Sequence, residues 1–157
     1  MNIKELESKL QSLSYSLDRA LKESGYKDNL DLREIEYNPT DPQERFLKAE
    51  CEGILENLMR AVDELDYLSK PTGKSGKLYL ASNGRYRATD GNSEWEYSSG
   101  SGIEFLVNEI YEDENGHETE VGRWIASSVE SQNGSYYIVH YPNIQLDGLT
   151  VRKRIWG

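Results

Sequence analysis

The first seventy residues place apolar side chains at helical spacing. Ile3, Leu6, Leu10, Leu13, Leu17 and Leu21 are separated by 3, 4, 3, 4 and 4 positions, a seam along one helix face. Asn2 with Glu5 fits an N-cap and its reciprocal acid, and Gly25 is a natural stop. The spacing predicts a helix from about residue 3 to 24. A second start signal is Asp41-Pro42-Gln43-Glu44, which orders an N-cap, a first-turn proline and a capping-box acid. Beyond it, Leu47, Cys51, Ile54, Leu58, Ala61, Leu65 and Leu68 alternate at 4 and 3, a heptad seam that Pro71 terminates. At 1.5 Å per residue this helix is roughly 40 Å long.

Two seams joined by residues 26–40 predict an antiparallel helical hairpin. The simpler expectation is that the seams pack on each other, with Cys51 a small core residue and Leu30, Leu32 and Ile35 pinning the connection. Phe46, Leu55, Met59 and Val62 widen the second stripe, which leaves room for the alternative, a homodimer or partner-helix surface.

After residue 70 the pattern changes. Pro71-Thr72-Gly73-Lys74-Ser75-Gly76 reads as a linker. Its Gly-Lys-Ser resembles the end of a phosphate-binding loop. However, Leu68 stands where the earlier glycine is required, and no strand precedes it. Five Asn-Gly or Asp-Gly pairs punctuate the rest of the chain, at 83–84, 90–91, 115–116, 133–134 and 147–148. They separate strand-like runs at Leu78–Leu80, Tyr86–Ala88, Ile103–Glu112, Thr119–Ser128, Tyr136–Tyr141 and Thr150–Ile155. A two-residue turn at Asn115-Gly116 would set Val107 opposite Trp124 and Ile110 opposite Val121. Both alternations of Ile103–Tyr111 carry apolar residues, so its inward face stays open. The expected fold class is α+β. A helical hairpin (1–70) and a linker (71–76) precede a small antiparallel SH3-like β-barrel (77–157).

Composition fits this division, since all three Trp and seven of eleven Tyr lie after residue 70. No apolar run spans a bilayer and no apolar leader opens the chain, so a cytoplasmic protein is expected. One cysteine permits no intrachain disulfide.

Charge changes the picture most. Between Ala88 and Gly122 lie ten carboxylates and no Lys or Arg, a local charge equal to the net −10 of the whole chain. Such a surface repels nucleic acid and suits a basic partner protein. Its candidate partner-binding residues are Glu94, Glu96, Glu109, Glu112, Asp113, Glu114, Glu118 and Glu120, with Trp95 and Tyr97 as contact anchors. Alternate strand residues lie roughly 7 Å apart, near the spacing of phosphates along one nucleic-acid strand. Glu94/Glu96, Glu112/Glu114 and Glu118/Glu120 have that relation. The plain alternative is a solvated hairpin whose charges keep strand edges unpaired.

Chemical motifs are few. Two histidines, His117 and His140, and a distant Cys51 give no zinc pattern. Glu112-Asp113-Glu114-Asn115-Gly116 lacks the spacing of a calcium loop. No serine sits in a nucleophile elbow, and His140 reads as an ordinary residue along a strand edge. No catalytic residue, metal or cofactor is expected. Arg152-Lys153-Arg154 is a small basic footprint, expected to pair with acids across the barrel more than to bind nucleic acid.

One resemblance rests on Gly76-Lys77-Leu78, Gly84-Arg85-Tyr86, Trp124-Ile125 with Val129-Glu130, Tyr136–Val139, and Leu146-Asp147-Gly148-Leu149 leading to Val151–Arg154. As a set these resemble a small domain-of-unknown-function family found on mobile elements of Gram-positive bacteria, over residues 76–157. The resemblance implies a phage, plasmid or conjugative setting and carries no catalytic residues. The expectation is a non-catalytic acidic inhibitor, most concretely an anti-CRISPR protein that blocks the basic channel of an RNA-guided nuclease. The alternative is an adaptor whose barrel binds peptide or nucleic acid and whose hairpin dimerises.

Overall fold

The computed structural model describes residues 1–155; Trp156 and Gly157 lie outside the described residues. The chain divides into two compact units, one of Met1–Pro71 and one beginning at Thr72. The fold is α+β: N-terminal helices, then a curled antiparallel sheet of seven strands. No described helix is long and apolar enough to cross a membrane.

The helical unit contains α1 (Ile3–Glu23), the short α2 (Tyr26–Asn29) and α3 (Pro42–Ser69). At the start of α1 the capping box forms: Asn2 Oδ1 accepts from the Glu5 amide at 2.9 Å, and Glu5 accepts from the Asn2 amide at 2.9 Å. Gly25, at φ +74°, turns the chain between α1 and α2 in the left-handed region open to glycine. At α3, Asp41 accepts from the Gln43 and Glu44 amides. The Glu44 carboxylate reaches back further than a capping box requires and accepts from the Asn38 amide.

Helices α1 and α3 pack against one another, and Gln11 donates from Nε2 to the Leu65 carbonyl oxygen at 2.9 Å. The core is small: Leu21, Tyr26, Leu32 and Val62 are buried, with Leu17, Leu55, Leu58 and Met59 half-buried around them. The Leu32 amide is held by Glu52 Oε1 at 3.0 Å, whereas Leu30 and Ile35 of the same connection are exposed.

Two expectations are corrected here. Much of the two leucine seams is not buried, since Ile3, Leu6, Leu10, Leu13, Leu47, Ile54 and Leu68 are exposed. Cys51 is exposed as well and is not a core residue. The reason is one of rotation. The residues turned inward include positions one later than the seam, Glu7, Gln11, Ser14 and Asp18 on α1 and Lys48, Glu52, Leu55, Met59 and Val62 on α3, together with the seam residues Leu17, Leu21, Leu58, Ala61 and Leu65. Single-residue steps move a side chain about 100° around a helix, so Leu6 to Leu13 of the first seam and Leu47 to Ile54 of the second lie beside the contact line, while Leu21 and Leu65 reach it.

The second unit contains β1 (Gly76–Leu80), β2 (Tyr86–Thr89), β3 (Glu94–Tyr97), β4 (Gly102–Glu112), β5 (Glu118–Gln132), β6 (Ser135–Ile138) and β7 (Thr150–Arg152). Its sheet order is β3-β2-β1-β7-β4-β5-β6. The rings of Tyr86 on β2 and Tyr136 on β6 meet edge-on at 6.2 Å. Four strands separate β2 from β6 in the sheet order, so that contact requires the sheet to curl. The concave side is filled by Leu78, Ala88, Tyr97, Ile103, Phe105, Ile125, Val129, Ile138, Leu146 and Val151. Ile103, Phe105 and Val107 therefore define the inward face of β4.

Turn chemistry sets the register. Asn133 and Gly134 both take positive φ, +52° and +78°, and Gln132 pairs with Ser135, a two-residue hairpin turn of the mirror type. At 115–116 only the glycine does so, at φ +76°. The Gly116 amide donates to the Asp113 carbonyl at 3.0 Å and the Asp113 amide to the His117 carbonyl at 2.9 Å. That is a longer turn with the extra residue accommodated at Gly116. The expected register is therefore shifted by one: Val107 pairs with Arg123, Leu106 with Trp124 and Glu109 with Val121. His140 is corrected too. It sits at φ +66° in the turn after β6, and not along a strand edge.

Candidate functional site

Where β4 and β5 leave the core, they continue as a two-stranded arm. From Asn108 to Gly122 every residue is exposed except Asp113 and Val121, which are half-buried. Residues paired directly across an antiparallel ladder share a face. Ile110 pairs with Glu120 and Glu112 with Glu118, so three carboxylates and an isoleucine, itself 64% exposed, occupy one face of the arm. The shifted register brings these carboxylates together. Glu114 belongs to the turn and not to a strand, so the Glu112/Glu114 pair is not a strand repeat.

Among the described residues, no ion pair involves Glu112, Glu114, Glu118 or Glu120. Asp113 serves the turn itself, accepting from the Asn115 and His117 amides at 2.8 and 2.9 Å. Those bonds, the His117 amide first, hold its carboxyl below the usual aspartate range. The His117 ring lies 3.4 Å from the same carboxylate.

Four further acids of the window are engaged by arginines. On β3, Glu96 accepts from Arg85 at 2.7 Å, from Asn83 at 3.0 Å and from Arg87 at 3.0 Å. The Arg85 contact, then those of Asn83 and Arg87, hold its pKa at about 2. Glu94 pairs with Arg87 at 3.0 Å. Glu109, on the concave-side alternation of the arm, pairs with Arg123 at 3.0 Å. Glu104, 5% exposed, is bound by Arg152 at 3.4 Å and Arg154 at 2.9 Å. The Arg152 guanidinium also stacks over the Trp124 ring, 4.2 Å from its centre. Glu104 escaped the sequence reading as a buried residue, because it alternates with inward Ile103 and Phe105. The only signal was the basic run that neutralises it.

The expected site thus splits. Glu94 and Glu96 lie on the edge strand β3, and β2, β1 and β7 separate them from β4. Their charges are answered by arginines. Trp95 and Tyr97 are not surface anchors: Tyr97 is buried in the core, and Trp95 packs against it. Trp95 donates from Nε1 to the Tyr97 hydroxyl at 2.8 Å. Alternation explains the correction, because the residues interleaved with two outward glutamates must point inward. No group of three or more His, Cys, Asp and Glu side chains among the described residues is arranged to hold a metal ion.

No curated protein and no solved structure matches the chain. Residues 76–153, the stretch that builds the curled sheet and its arm, match the family DUF5348, a domain of unknown function.

Proposed function

We propose that this chain is a non-catalytic binding protein that engages a basic protein surface through the β4–β5 arm. The observation that carries this reading is the face of Ile110, Glu112, Glu118 and Glu120, exposed and without an ion-paired cation among the described residues. Directly opposed like charges destabilise a hairpin by a few tenths of a kcal/mol or more. Elsewhere in the domain arginines answer Glu94, Glu96, Glu104 and Glu109; here the chain retains the repulsion. A basic partner would convert it into attraction, chiefly by accelerating association. Ile110 supplies apolar area at the centre of such a contact.

The partner class we favour is a nucleic-acid-handling enzyme with a positively charged channel, of which an RNA-guided nuclease is the concrete case. An inhibitor of this kind fits a mobile element, the setting the sequence resemblance implied. Direct nucleic-acid binding is disfavoured, since Arg152 and Arg154 are engaged with Glu104. We read the curled sheet as a small SH3-like barrel, supported by the Tyr86–Tyr136 contact across it. We read α1 and α3 as an antiparallel hairpin, supported by the Gln11–Leu65 bond and by Leu21 clustering with the earlier Leu55 and Leu58.

The test is binding to, and inhibition of, a purified RNA-guided nuclease at low and moderate salt. Binding should weaken steeply as salt rises. Replacing Glu112, Glu118 and Glu120 together with Gln should slow association at least tenfold and leave the circular dichroism unchanged. Absence of both binding and inhibition at low salt overturns the nuclease assignment.

A further inference from the structure

We infer that the helical unit is a dimerisation module, in which the apolar face of α1 and α3 is covered by the same face of a second copy of this chain. The inference does not depend on the acidic arm; it rests on the antiparallel reading of the helices. Ile3, Leu6, Leu10 and Leu13 on α1, with Leu47, Ile54 and Leu68 on α3, are between 36% and 74% exposed. Leu6, Leu10 and Leu13 on α1 and Leu47 and Ile54 on α3 each sit one residue before a position turned toward the other helix. In antiparallel helices, equal offsets of about 100° rotate both stripes to the same side of the pair. The exposed residues of both stripes therefore lie on one side of the pair, Ile3 to Leu13 with Leu68 toward one end and Leu47 with Ile54 toward the other, joined by half-buried Leu17 and Leu58.

Three observations argue for a second copy. The first is area. These seven side chains leave on the order of 700 Å² of aliphatic surface in water, above the usual largest patch of a monomer and close to one side of a standard interface. The second is the core. Within Met1–Pro71 only Leu21, Tyr26, Leu32, Val62 and Leu65 are buried apolar residues, against ten among the described residues of the somewhat larger β unit. A unit of that size with so few buried side chains needs a further source of stability, and association is one. The third is shape. A single peptide helix would fill only the groove between the stripes. A face that runs from α1 at one end to α3 at the other, and repeats at 3 and 4, is matched by another helix pair with the same repeat, which the chain itself provides.

The test uses the full chain. Light scattering over roughly 1–100 µM should report a dimer that dissociates on dilution. Leu13→Glu and Ile54→Glu should each shift the molecule to monomer. Tyr15→Glu, exposed and on the other side of α1, should not. Cys51 lies on the stripe, so its reaction with a thiol reagent should slow at least tenfold as the protein is concentrated through the transition. If Leu13→Glu loses helical circular dichroism while the Trp fluorescence of the sheet persists, that too supports the inference, because it shows the single-copy core to be insufficient. A monomer at 100 µM, or a dimer in which Cys51 reacts as fast as in the monomer, overturns it. A short bifunctional thiol reagent bridging Gln11→Cys and Leu65→Cys in a Cys51→Ser chain should close within one chain whether or not it dimerises. Failure of the hairpin is thereby told apart from failure of the dimer.

Discussion

Glu96 and Glu104 are both acids held by two arginines, and they respond to different perturbations. Glu96 is at the surface, and its pKa is lowered to about 2 by Arg85, Asn83 and Arg87. A carboxylate whose folded pKa is depressed contributes stability above its unfolded pKa, near 4.3, and loses it as pH falls through the folded value. The melting temperature of Glu96→Gln should therefore lie below that of wild type above about pH 5, and the gap should close as pH approaches 2. A gap that stays constant over that range would show that the ion pairs are not its source. Glu104 is buried between Arg152 and Arg154. Removing one partner of a buried ion pair leaves charge without compensation, so Glu104→Ala should destabilise the sheet by about 3 kcal/mol in urea unfolding. Arg154→Ala, which leaves Arg152 in place, should cost less.

At the scale of the element, the role proposed for the β4–β5 hairpin would set stability against recognition. Glu118→Lys would turn the opposed Glu112–Glu118 pair into a cross-strand ion pair. It should raise stability by about 0.5 kcal/mol while weakening binding of the proposed basic partner. Stability and binding falling together would show instead that the arm has unfolded. On β1, Gly76 has a backbone role: a Cβ there would lie 2.3 Å from the Thr89 carbonyl oxygen. Gly76→Ala should force β1 and β2 apart and cost about 2 kcal/mol or more in urea unfolding. The elements themselves were legible in the sequence, since Asn2, Asp41, Gly25 and the Asn-Gly pairs act locally. Features that depend on a single residue of phase were not. Asn115-Gly116 and Asn133-Gly134 look alike in sequence, yet only Asn133 adopts positive φ, and that difference decides which glutamates share a face. The leucine seams were legible as stripes but not as exposed ones. The choice of Gln11 and Ser14 for the contact line comes from packing between helices, which periodicity does not encode.

For the whole molecule, the charge of the acidic window is offset by arginines that flank it and, at Glu104, by two that lie far along the chain. Arg85, Arg87, Arg123, Arg152 and Arg154 lie outside the window, and together they answer Glu94, Glu96, Glu104 and Glu109. Linear charge density therefore overstated the candidate site, which contracts to the arm. The strand order carries one more consequence. In the described sheet, three-residue β7 is the strand that joins the β1–β3 and β4–β6 halves: it pairs with β1 at Gly76 and Lys77 and with β4 at Glu104 and Phe105. Until residue 152 has left the ribosome, the nascent chain can form two separate three-stranded pieces but no continuous sheet, so its hydrophobic interiors stay open during synthesis. Closing a loop of such sequence separation comes late and slows folding. Val151, fully buried in that strand, should then behave as a latch. In stopped-flow experiments Val151→Ala should speed unfolding much more than it slows refolding.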